Sequence, residues 1–258
     1  MPNFAANLSM MFDEHDFLDR FSAAADAGFK GVEFLFPYDY MAEEIKSKLD
    51  ESNLKQVLFN THPGDWEKNE RGLASIPGRE NEFEKAVEQA LEYAKVLGNE
   101  HIHAMSGLVP DGNDPQIHRE TLISNLKRAA PVASKHGKTL IIEPINTRDI
   151  PGYFLNYQEQ ARSIIDEVGA DNVRLQFDLY HCQIMEGDLA VHMRDMIDIT
   201  AHMQIAGTPG RNEPNIGEIN YPYLFELMDH LEYNGWVGCE YRPKARTEDG
   251  LDWLRAIT

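Results

Sequence analysis

Cysteine is scarce in this chain: two residues, Cys182 and Cys239, among 258. Two cysteines cannot build a disulfide framework, which points to a reducing compartment. Neither has an obvious base beside it in sequence, so both read as small buried fillers. Basic residues are also few, 24 Lys and Arg against 43 Asp and Glu, for a net charge of −19. A field of that sign repels phosphate backbones and anionic membranes, which argues against nucleic acid and membrane partners. No apolar run reaches the length of a membrane span. The opening MPNFAANLSMMFDEHD has neither the basic leader nor the apolar stretch of a secretory signal. The expectation is a cytoplasmic enzyme. Also missing are an HExxH or Cys–His zinc spacing, a GxSxG elbow and a P-loop.

What is there is alternation. Short runs rich in Val, Ile, Leu and Phe predict strands at Phe4–Leu8, Gly31–Phe36, Lys55–Asn60, His101–Met105, Thr139–Glu143, Val173–Asp178, His202–Ala206 and Trp236–Glu240. Amphipathic runs lie between them. DFLDRFSAAADAG stops at Gly28, ENEFEKAVEQALEYAKVLG at Gly98 and HRETLISNLKRAAPVASKHG at Gly137, with Pro131 expected to bend the last. Units of about thirty residues with no linker or low-complexity segment predict one (β/α)8 TIM barrel domain over residues 1–258. A doubly wound sheet is disfavoured because no glycine-rich fingerprint follows the first strand.

Barrel enzymes place their chemistry at the carboxyl ends of the strands. The residues there are Asn7, Glu33, Asn60, Met105 with Ser106, Glu143, Asp178, Gln204 and Glu240, beneath long loops over 61–78, 106–115, 144–156 and 207–221. Glu143 and Glu240 each close an apolar strand, where a carboxylate is desolvated unless it is paired or used. Facing each other, they could remove and return a proton at neighbouring carbons. Asp178 and His181 form FDLYH; the Asp can cap the following helix or bind a metal, and the His can polarise a substrate oxygen. Gln204 can hydrogen-bond its neighbours or join the carboxylates, since hard cations accept amide oxygens. Glu143, Asp178, Gln204 and Glu240 together suit Mg²⁺ or Mn²⁺ better than Zn²⁺. Arg148 and Arg242, nearest these ends in sequence, are either surface charge or a clamp on an anionic substrate. His101 and His103 read as buried and hydrogen-bonded, and His15, His118, His136, His192 and His230 as helix-surface or helix-end residues.

The blocks FAANLSMMF, GVEFLFPYDY, FNTHPGDW with RGLASIPGRE, EPINTRDIPGYFL, QFDLYHCQIMEGD, HMQIAG, EPNIGEINYPYLF and GWVGCEYRP span nearly the whole chain. Together they resemble the hydroxypyruvate isomerase family of the xylose isomerase-like barrels. The resemblance implies an aldose–ketose isomerisation between hydroxypyruvate and tartronate semialdehyde, a place in carbohydrate and glyoxylate metabolism, and a 2-oxo acid or sugar acid as partner. It matches the paired acid/base glutamates to Glu143 and Glu240, the single-metal ligands to Glu143, Asp178, Gln204 and Glu240, and a substrate-contacting histidine to His181. Asn60, Glu33, Arg148 and Arg242 complete the expected substrate contacts. Sugar epimerases of the superfamily carry His where this chain has Gln204. The alternatives are a 2-oxo-tetronate isomerase, which shares the opening block with GEINYP and GCEY, a ketose 3-epimerase, and a non-catalytic sugar-acid binder. DNA-repair endonucleases of the superfamily need an Asp-x-His pair where this chain has Gly210, Arg211 and Asn212. A homo-oligomer is compatible with the sequence, which shows no interface patch.

Overall fold

A computed structural model describes residues 2–256. Eight parallel strands close into a ring in sequence order. They are β1 (Asn3–Asn7), β2 (Gly31–Glu33), β3 (Lys55–Asn60), β4 (His101–His103), β5 (Thr139–Ile142), β6 (Val173–Asp178), β7 (Thr200–Ile205) and β8 (Trp236–Cys239). The helices outside are α1 (Arg20–Asp26), α2 (Ala42–Glu51), α3 (Glu80–Leu97), α4 (Pro115–Lys135), α5 (Gln158–Val168), α6 (Leu179–Met185), α7 (Leu189–Met196), α8 (Tyr221–His230) and α9 (Asp252–Arg255). Among the described residues no helix is long and apolar enough to cross a membrane.

Periodicity explains the layers. On α3 the residues Phe83, Val87, Ala90, Leu91, Ala94 and Leu97 recur at helical spacing and are buried against the barrel. Gly98, in the left-handed region at φ 80°, ends the helix as expected. α4 runs on through Pro131 to Lys135, so that proline does not end it. Its residue 118 corrects the surface reading: His118 is buried and stacks on Phe154, with ring centroids 6.3 Å apart. Cys182 and Cys239 are buried, free thiols.

Strand residues alternate between the two faces of the ring. Leu140 and Ile142 of β5 join the large apolar layer beneath the helices, while Ile141 packs with Ala5, Val57 and Leu58 in a small separate cluster. Toward the carboxyl ends the cavity-facing positions turn polar: Asn7, Glu33, Asn60, His103, Gln176 and Gln204. Register sets these at matching heights, with Asn7 beside Glu33 and Asp178 beside Gln204, which in turn pairs with Gly238. Gly238 leaves the room that Glu33 uses, since a Cβ there would stand 2.3 Å from its carboxylate oxygens. Several strands end before their expected limits. β2 stops at Glu33, after a register shift against β3, and β5 and β8 stop one residue before Glu143 and Glu240. Those two glutamates therefore stand as the first loop residues above the ladder.

Candidate active site

A cavity of about 400 Å³ opens at the carboxyl end of the ring, lined by Asn7, Glu33, Asn60, Glu143, His181, Gln204, Arg211, Glu240 and Arg242 among others. Ligand-capable atoms of Glu143, Asp178, His181 and Glu240 lie within 4.8 Å of one another, all four residues buried, and all but Asp178 line the cavity.

The local chain fixes each group. Asp178 ends β6 and caps α6: its Oδ1 accepts from Tyr180 N at 2.6 Å and His181 N at 3.2 Å. Its Oδ2 is buried without a hydrogen-bond partner. One oxygen thus performs the cap, and the other is left facing the cluster. Glu143 likewise has a buried, unpartnered Oε1, 3.8 Å from His181 Nε2, while its Oε2 is 3.6 Å from His103 Nδ1. Glu240 accepts from Arg211 Nη2 at 2.7 Å and from Asn7 Nδ2 at 3.5 Å.

The His181 ring has donors on the Nδ1 side, and on the Nε2 side both the Arg211 Nη2 donor at 3.4 Å and two carboxylate oxygens, Glu143 Oε1 at 3.8 Å and Asp178 Oδ2 at 3.7 Å. The Asn146 amide is oriented by Asp149 N, which donates to Asn146 Oδ1 at 2.7 Å, so Asn146 Nδ2 faces His181 Nδ1 at 2.6 Å. Asn146 N also points at Nδ1, at 3.4 Å. The 2.6 Å Asn146 contact at Nδ1 is the shorter, so the network favours an accepting Nδ1 and a proton on Nε2 toward the carboxylates, against the longer Arg211 contact. Burial, reinforced by Arg211, holds the imidazole well below its ordinary pKa. His181 is therefore a neutral donor, and the acceptor set for a cation reduces to the carboxylates.

Gln204 takes a different part from the ligand expected of it. Its Nε2 donates to Glu33 Oε1 at 2.7 Å, and its Oε1 already accepts from Gln176 Nε2. A flipped amide would set oxygen against the Glu33 carboxylate. Glu33 itself is tied to Asn7 at 3.0 Å and His202 at 2.7 Å, so it braces the floor of the cavity. Asn60 lines the cavity, and its carbonyl accepts from Tyr38 Oη. Arg242 lines it from an exposed position. Arg148 is not among the lining residues; its Nη2 donates to Tyr180 Oη and Pro209 O. His103 is buried, but its Nε2 has no partner, and burial and the neighbouring His202 draw its pKa down to about 3.

Arg211, which the sequence marked only as a departure from the endonuclease pattern, lines the cavity. It bonds Glu240, approaches Asp149 at 3.4 Å and Asp178 at 4.0 Å, and lies over the Tyr180 ring at 5.0 Å. Burial works against its charge; Glu240, Asp178 and Asp149 outweigh that and hold its pKa above the ordinary value. Its place in the predicted 207–221 mouth loop was the available signal, of the same kind that singled out Arg148.

Burial, then the Glu240 and Asp178 charges, push Glu143 well above the usual carboxylate range. Burial raises Glu240 to about 8 against the opposing pull of Arg211. In the unfolded chain such groups ionise near pH 4. Between about pH 4 and 8 the folded metal-free protein therefore keeps protons that the unfolded chain has lost, so this cluster's contribution to stability falls as pH rises. In chelator, the melting temperature is expected to drop from pH 6 to pH 8, and to drop less in Glu240→Gln. Equal drops in both proteins would contradict the assignment.

A closed parallel barrel with buried acids at the carboxyl ends of its late strands defines a class. Residues 21–257 match the family model described as xylose isomerase-like TIM barrel, and the chain belongs to that family. Over 255 residues it is 57% identical to 2-oxo-tetronate isomerase of Cupriavidus necator, covering 99% of this chain and 98% of that protein. Over another 255 it is 51% identical to hydroxypyruvate isomerase of Escherichia coli, covering 98% of each. A solved structure titled AP endonuclease, family 2, from Brucella melitensis superposes with a TM-score of 0.98 at 51% identity, over 99% of both chains. With full-length relatives of this kind, the protein is an enzyme and an isomerase.

Proposed function

We propose that this isomerase interconverts hydroxypyruvate and tartronate semialdehyde. The observation that carries the reading is the pair Glu143 and Glu240, both buried in one cavity and unequally partnered: Glu240 has a guanidinium and Glu143 has none. In the metal-free site that inequality makes Glu240 the one that gives up its proton more readily, while Glu143 holds its own to higher pH. One glutamate takes the proton from the hydroxyl-bearing carbon, and the pair returns a proton to the adjacent carbonyl carbon. The hydroxyl proton passes from the first oxygen to the second, so the reaction is redox-neutral overall. His181 Nε2–H donates to the oxygen on which negative charge develops.

The residues fit a divalent cation. The orphaned Oε1 of Glu143 and Oδ2 of Asp178 are buried acceptors without donors, and Glu240 stands with them. These three carboxylates would hold Mg²⁺ or Mn²⁺, which when bound would stabilise negative charge on substrate oxygens. Residues 1–258 then act as one domain, in the cytoplasm, in carbohydrate and glyoxylate metabolism.

A four-carbon 2-oxo-tetronate is the second reading, favoured by the 57% identity to a relative of that name. The test is a panel of hydroxypyruvate, 2-oxo-tetronate and a ketohexose in deuterated water, after chelation, with and without Mg²⁺ or Mn²⁺. Expected are isomerisation and carbon-bound deuterium with a 2-oxo acid, lost on chelation and restored by metal. Epimerisation of the ketohexose alone, or binding without exchange, would overturn the proposal.

A further inference from the structure

The candidate site does not account for Arg71. It lies in the loop between β3 and α3 and lines the same cavity as the acids, beside Trp66 and Phe36. Most arginines around the mouth already have an anion: Arg211 has Glu240, and Arg79 has Glu70 and Glu82. Arg148 lies 3.8 Å from Asp149. Among the described residues Arg71 has no carboxylate within ion-pair distance. Its Nη1 donates to Trp66 O at 3.1 Å and Glu70 O at 2.7 Å, and its guanidinium carbon sits 3.8 Å from the centre of the Trp66 ring. Burial lowers its pKa, and no nearby anion counters it.

The loop that carries it is firmly seated. Ala74 N donates to Met105 O and Ser75 N to Ser106 O, and Gly72 bridges to Ser106. Gly72, at φ 125°, lies so close to the segment that follows β4 that a Cβ would stand 2.4 Å from Met105 O. A guanidinium held by two carbonyls and an indole, on a loop pinned to the barrel, is pre-organised, and among the described residues its Nε and Nη2 donors have no partner. In the closed ring β3 stands diametrically opposite β7, while the acids end β6 and directly follow β5 and β8. A substrate reacting at the acids can thus direct its far end toward Arg71.

We infer that Arg71 is the specificity-determining residue that receives the substrate's carboxylate, through its free N–H fork, and so selects 2-oxo acids over uncharged ketoses. This rests on the isomerase reading for the identity of the substrate, but the binding claim can be judged separately. The experiment compares the metal-loaded wild-type protein with Arg71→Gln and Arg71→Lys. Calorimetric titration uses tartronate, an unreactive carboxylate probe, and kinetics use hydroxypyruvate with erythrulose as the uncharged control. A charged hydrogen-bond pair lost in Arg71→Gln should weaken tartronate at least about tenfold and raise KM for hydroxypyruvate by a similar factor, with kcat changing less. Arg71→Lys, which keeps the charge but not the fork, should fall between. Erythrulose parameters should stay within about twofold, which a merely structural role for Arg71 in the loop would not allow. Tartronate affinity and KM within about twofold of wild type in Arg71→Gln would overturn the inference, as would a wild-type protein that does not bind tartronate. If Arg71→Gln fails to fold, Arg71→Lys decides by the same two readouts. Absence of turnover with every 2-oxo acid would sink the isomerase reading instead, leaving the titration to judge Arg71.

Discussion

Glu143→Gln and Glu240→Gln are each expected to reduce turnover by about 10²-fold or more, the usual worth of a placed proton-transfer group. The fold should survive both changes. Gln is nearly isosteric with Glu, and it relieves a buried group of three carboxyls of one acid. In Glu143→Gln nothing loses a cationic partner, because Glu143 has none, so the metal-free protein should melt no lower than wild type. In Glu240→Gln the guanidinium of Arg211 keeps Asp149 at 3.4 Å and Asp178 at 4.0 Å. Deuterium separates the roles. The variant without the base should exchange no carbon-bound hydrogen. The variant without the acid should still wash deuterium into the carbon that gives up its proton. Proton NMR of the substrate in deuterated water reads both, and near-wild-type turnover in either variant would reject the two-glutamate scheme.

The barrel was legible because its signal is repeated: short β-branched strands, amphipathic helices with glycine stops, and polar residues at alternate strand positions near the carboxyl ends. The strand limits were less legible, since a residue such as Glu143 continues the apolar pattern of TLII in sequence but leaves the ladder in space. The convergence of Glu143, Asp178 and Glu240 followed from topology alone, because sequential parallel strands in a closed ring must bring their ends together. The part of Gln204 did not follow. Whether an amide faces a cation or a neighbouring Glu33 depends on side chains from β2 and β6, which no local pattern reveals. The arginines show the same limit. Arg71, Arg148 and Arg211 all sit on predicted mouth loops, yet only the fold shows that Arg148 bonds Tyr180 and Pro209 while Arg71 and Arg211 line the cavity. His118 was misread because its place on α4 is buried against Phe154, a residue of the 144–156 loop far away in sequence.

Arg211→Met should have its largest effect on the metal-free protein. The guanidinium is the cation nearest three buried carboxylates, and removing one partner of a buried ion pair costs on the order of 3 kcal/mol because the remaining charge is left uncompensated. Met keeps much of the side-chain volume, so the change tests charge more than packing. The carboxylates can answer only by holding protons, so the loss should grow as pH rises from 6 to 8, where such protons become harder to keep. Mn²⁺ at the same acids should restore most of the lost stability. By linkage, its affinity should be higher for Arg211→Met than for wild type, since the variant's empty site starts from a less stable state. The double variant Arg211→Met with Glu240→Gln removes both members of the 2.7 Å pair and should regain metal-free stability without added metal. Calorimetric melting with and without Mn²⁺, and direct metal titration, measure all three effects. A metal-free Arg211→Met protein as stable as wild type at pH 8, with unchanged Mn²⁺ affinity, would show that Arg211 does not balance the acidic cluster.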